Sequence, residues 1–78
     1  MPGAAEYAEY NRQLLLMRAW QEVLRARLRL LENNPGLALD ELAQARATLD
    51  KVYALSSSEQ QAALDPIIER LEAVVTAI

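Results

Sequence analysis

From Ala5 to Glu32 the chain carries neither Pro nor Gly, and apolar side chains fall at Tyr7, Tyr10, Leu14, Met17, Leu24, Leu28 and Leu31. The intervals alternate three and four, with Gln21 as the single polar member of the series, which is the spacing of one face of a long helix and of a coiled-coil seam. A second row, Leu16, Trp20, Val23, Arg27 and Leu30, runs beside the first. Together they form a stripe wider than a two-helix seam needs. A helix of roughly 28 residues is about 40 Å long.

Pro and Gly divide the rest of the chain. Asn33-Asn34-Pro35-Gly36 ends the first helix and starts a second, with Asn34 as cap and Pro35 at the first helical position, where its missing N–H costs nothing. The second helix has an apolar face of Ala38, Leu42, Ala45, Leu49, Val52 and Tyr53, and its alanines permit close approach to a neighbour. Ser56-Ser57-Ser58-Glu59 is a turn and a new start, with Ser56 and Glu59 at capping-box spacing. The last segment sets Leu64, Ile67, Ile68, Leu71, Val74, Val75 and Ile78 at helical spacing, interrupted by Pro66 after Asp65. That predicts either a short helical turn over residues 57–64 followed by a fresh helix, or one helix kinked near Leu64. The apolar ending, with no Gly or basic stop signal, predicts a third helix that is truncated or tucked into an interface.

The expected fold is therefore all-α: an antiparallel three-helix bundle with a long first helix and a break or kink near Asp65-Pro66, the short connections making neighbours antiparallel. We expect one domain over residues 1–78, with residues 1–4 a disordered leader and helices at about 5–33, 35–55 and 57–78. Because the first helix outruns the others, its N-terminal half, Tyr7 to Met17, should be left uncovered. An exposed apolar stripe marks a partner surface.

Composition narrows the chemistry. The 78 residues include no His or Cys, so the commonest general bases, thiol nucleophiles and soft metal ligands are missing, and neither a disulfide nor a Cys/His zinc site can brace the fold. A chain this short buries only about 60% of its unfolded surface, so oligomerisation or very regular packing must compensate. With 8 basic against 11 acidic residues the net charge is −3, which disfavours nucleic acid or an anionic membrane as main partner. No apolar stretch is long enough to span a bilayer. The N-terminus lacks the basic and apolar regions of a signal peptide, which places the chain in the cytoplasm by default.

Two patterns resemble known families. Leu24-x3-Leu28, then after the turn Ala38-x3-Leu42-x2-Ala45, resembles the helical hairpin of a tetratricopeptide repeat over roughly residues 20–50. It departs from that consensus at Arg25, where a small residue is usual, in a longer turn, and in the lack of a second copy, so it implies hairpin packing rather than a peptide groove. More broadly, the run from Arg25 to Leu49, followed by a polar turn and Leu64 to Ile78, resembles the helical region of HemX-type membrane-anchored proteins. That resemblance implies a non-catalytic, anchored helical domain that works through protein contacts, the alternative to a free cytoplasmic protein. It assigns a role to no particular residue.

The remaining candidates read as surface. Arg18, Arg25, Arg27 and Arg29 are offset by Glu22 and Glu32 at intrahelical pair spacing. Asp40 with Glu41, and Glu69 with Glu72, read as a helix start and an outer face rather than acid/base or metal pairs, and a di-metal carboxylate bundle would need His. We expect no catalytic, metal or cofactor site, although a cavity between the helices would admit an apolar ligand. The expectation is a non-catalytic interaction module that self-associates as a homodimer or higher assembly, in a structural or scaffolding role, through Tyr7, Tyr10, Leu14, Met17, Trp20, Leu24 and Leu28. These residues are expected to line an internal or intersubunit core. The alternative is an adaptor domain of a longer protein that docks the same stripe on another helical protein.

Overall fold

The computed structural model describes residues 3–78 and consists of three helices: α1 over Ala4–Leu31, α2 over Pro35–Ala54 and α3 over Ser58–Ala77. Of the expected leader, Gly3 is the N-cap of α1 and Ala4 is already helical, while Met1 and Pro2 lie outside the described residues. Glu6 and Tyr7 both donate their backbone N–H to the Gly3 carbonyl, so the first turn closes without a side-chain cap.

The connection between α1 and α2 is set by two asparagines. Asn33 adopts φ 59°, the left-handed conformation an Asn tolerates better than most residues. Its N–H reaches the Leu30 carbonyl at 3.1 Å, and the Asn34 N–H reaches the Arg29 carbonyl at 2.8 Å, which satisfies two of the last carbonyls of α1. Asn34 then accepts from the Leu37 N–H at 3.2 Å, capping α2 with Pro35 at its first position, as the sequence implies.

At the second connection the capping box sits one residue later than expected. Ser57 Oγ accepts from the Gln60 N–H at 3.2 Å and the Ser57 N–H donates to Gln60 Oε1 at 2.9 Å. Ser56 is engaged elsewhere: its hydroxyl donates to the Val52 carbonyl at 2.6 Å, closing the end of α2. α3 then runs as a single helix through Pro66, whose absent N–H forgoes the bond to Ala62 that another residue would make. Of the two alternatives, the chain takes one helix rather than a short turn followed by a fresh start.

The core is centred on α2. Ala38, Leu42, Ala45, Leu49 and Val52 are all buried, and Leu64, Ile68 and Leu71 of α3 close over them. From α1 the buried residues are Ala19, Glu22 and Ala26. Alanines thus face alanines between α1 and α2, and the two backbones approach closely. Two ion pairs link the layers at their rims: Arg29 reaches Glu41 at 3.6 Å between α1 and α2, and Arg46 reaches Glu72 at 2.7 Å between α2 and α3. The Arg46–Glu72 pair, whose carboxylate is exposed, adds little, on the order of 0–1 kcal/mol, whereas Arg29 and Glu41 are half-buried.

Glu22 is the one charged residue in this core, at 3% exposure, and it takes a hydrogen bond from the Thr48 hydroxyl at 2.7 Å. That hydroxyl also lies 3.0 Å from the Gln44 carbonyl and has a single proton to give. Thr48→Val removes the donor and leaves a buried carboxylate without this partner, so it is expected to lower stability by about 1–3 kcal/mol. Urea unfolding followed by circular dichroism measures this, and an unchanged midpoint would show that the contact contributes nothing.

α2 lies between the other two helices, and no Cα of α1 comes within 8 Å of one in α3. The molecule is accordingly flat and elongated, with extents of 47 × 24 × 13 Å and a radius of gyration of 13.9 Å, against about 11.5 Å for a compact chain of this length. Its accessible surface of 5602 Å² compares with about 4,700 Å² for a folded monomer of this mass.

Candidate functional site

α1 has two apolar faces, and only the smaller-volume one faces its own bundle. The inward row is Ala19, Glu22 and Ala26, with Leu15, Leu16 and Val23 partly covered beside it. Two residues further along an α-helix is a rotation of about 200°. Counting on from Ala19 and Ala26 therefore gives Gln21 and Leu28, and the row Tyr7, Tyr10, Leu14, Met17, Gln21, Leu24, Leu28 and Leu31 lies on the opposite side of the helix.

All seven residues expected to form an interface are exposed: Tyr7, Tyr10, Leu14, Met17, Trp20, Leu24 and Leu28 range from 45% to 64%. None of them belongs to the core of its own chain. Helix lengths alone would end the uncovered region near Met17, but it continues to Leu31, at 73% exposure. The reason is the alanine contact: α2 packs on the opposite face of α1, so even where α1 is flanked along its length its outer face stays bare.

The second row has a different surrounding. Leu16, Trp20 and Val23, together with Met17 and Gln21 of the outer row, form one wall of an apolar groove of about 680 Å³, with Leu42 and Leu49 of α2 as floor and Ile67, Leu71 and Val74 of α3 as the other wall. The groove exists because α1 and α3 splay apart. Ile67, Val74, Val75 and Ile78, which carry the helical spacing of α3, stay exposed along and beyond its edge.

The N-terminal part of α1, which α2 is too short to cover, is braced locally. Arg12 donates from Nε at 2.8 Å and Nη2 at 2.7 Å to the two oxygens of Glu9, and Gln13 adds a bond at 3.2 Å. The Arg12 fork holds the Glu9 pKa down at about 2. A carboxylate lowered in this way supports the helix fully above its ordinary value of 4.5, and the support is lost as pH falls from there to about 2.

The arginines are arranged differently from what their spacing implies. Glu22 turns inward to Thr48 and so does not offset Arg18 or Arg25. Among the described residues, Arg18, Arg25 and Arg27 form no ion pair, while Arg29 does pair with Glu32 at 3.5 Å. Of the acidic pairs, Glu41 is engaged by Arg29 and Glu72 by Arg46. Asp65 lies beside the Tyr53 hydroxyl, and its negative charge raises the tyrosine pKa.

The inward row Ala19-x2-Glu22-x3-Ala26 is not among the rows that apolar spacing picks out. Its signal is the repetition of the same small-residue spacing in Ala38-x3-Leu42-x2-Ala45 across the turn. No protein-family model, curated protein or solved structure matches the chain.

Proposed function

We propose that the protein is a non-catalytic helical module that self-associates through the outer row of α1 and serves a structural or scaffolding role. The observation that carries this reading is the placement of that row. Seven apolar residues at alternating intervals of three and four, from Tyr7 to Leu31, all stand exposed on the face turned away from α2. The surface in excess of a compact monomer, on the order of 900 Å², is close to the roughly 800 Å² that each partner contributes to a stable interface.

Trp20 reports on the association because it is the only tryptophan and is 64% exposed in the single chain. Its emission is expected to move to the blue as protein concentration rises, and back on dilution. Emission that stays at the wavelength of a water-exposed indole at every concentration would count against this reading.

The adaptor reading is favoured by a different observation, the groove between α1 and α3, whose apolar walls suit an amphipathic helix from another protein. In that reading the chain is a domain of a longer protein, as the HemX-type resemblance implies. A monomeric chain that binds such a helix through Leu16, Trp20 and Val74 would support it over self-association.

A further inference from the structure

We infer that two copies of this chain pair through α1 in parallel and in register, with the Gln21 side chains meeting across the two-fold axis. This rests on the self-association reading and adds the orientation, the register and the residue that sets them.

The outer row assigns every position of α1. Taking Tyr7 as a gives a at Tyr7, Leu14, Gln21 and Leu28, and d at Tyr10, Met17, Leu24 and Leu31, an unbroken run of four repeats. Gln21 is then the one polar residue at the centre of an otherwise apolar seam. A buried amide needs partners for both its donor and its acceptor. In a parallel pair in register it faces the partner's Gln21, which offers both. In the antiparallel pair that overlaps the whole row it faces the partner's Met17, which offers neither an N–H nor a carbonyl.

The flanking positions agree. Parallel strands bring each g residue beside the e residue five further along the partner helix. Arg27 then meets the partner's Glu32, Trp20 meets the partner's Arg25 in a cation–π pair, and Gln13 meets the partner's Arg18. These arginines are among those that find no carboxylate within their own chain. Antiparallel strands instead place Arg18 beside the partner's Arg18, which is repulsive. The α2–α3 hairpins then project to opposite sides of the pair, and the partner helix covers the part of each groove lined by Met17, Trp20 and Gln21.

The natural chain has no cysteine, so single-cysteine variants give a clean test. Gln21→Cys and, separately, Leu14→Cys are each mildly oxidised and separated without reductant, because core positions facing each other across a two-stranded seam lie within disulfide reach. Both are exposed in the single chain, so neither change disturbs its core. The expected result is that each variant converts mainly to a linked dimer with itself, while an equal mixture of Gln21→Cys and Met17→Cys yields no cross-linked product between the two. A mixed product from that pair, or self-linkage by neither variant, would overturn the parallel register while an unmodified chain of dimeric mass upheld self-association. An unmodified chain that stays monomeric would overturn both.

Discussion

A chain carrying Tyr7→Ala together with Leu14→Asp is expected to remain helical but to run as a monomer, with self-affinity reduced by roughly a thousandfold or more, about 4 kcal/mol. The size reflects symmetry, since each substitution enters the interface twice. The carboxylate introduced in one copy would lie against the same group of the other in an apolar seam, and an unpaired buried charge costs several kcal/mol per ion. The fold is spared because Tyr7 and Leu14 are 56% and 47% exposed in the single chain and belong to no internal core. Light scattering gives the mass, and circular dichroism confirms that helix content is kept. Identical masses before and after the changes would remove the outer row from the interface.

The opposite outcome is expected for the inner face. Leu49→Ala should lower stability by about 2–5 kcal/mol, a large share of the roughly 4–12 kcal/mol typical for a chain of this size. Leu49 is 4% exposed, packs between Leu42 and Val52 on the buried face of α2, and forms part of the groove floor. The melting midpoint should fall by more than about 8 °C. A shift under about 2 °C would mean that the helices close over the deleted side chain and that the groove is not a fixed feature. Together the two variants separate the faces: one alters mass at constant fold, the other alters fold stability.

These contrasts also show what can be read from the sequence. Most of the face of α2 is legible, since Ala38, Leu42, Ala45, Leu49 and Val52 are apolar at helical spacing and buried, whereas Tyr53 of the same reading is only half-buried and the buried Thr48 is not among the apolar positions. The Asn34-Pro35 start is equally plain, because its chemistry is local. On α1, periodicity finds the rows but not which of them faces inward. The larger side chains mark the outer row, yet close packing of two helices selects small residues, and Ala19 and Ala26 lie inside with Glu22 between them. Spacing alone makes Glu22 a surface partner for arginine, because Thr48, which bonds it, is 26 residues away. The capping box shifts by one residue because three consecutive serines offer the same chemistry and only the carbonyl of Val52 distinguishes Ser56. The groove has no sequence signal, since it depends on the splay of α1 from α3 and no single segment encodes that.

The most direct test is the solution mass of the unmodified chain by light scattering across a wide concentration range. The expected value is twice the 8.7 kDa chain mass, falling toward the monomer only on dilution. A mass of 8.7 kDa at every concentration would contradict self-association and leave the outer row of α1 to a different protein.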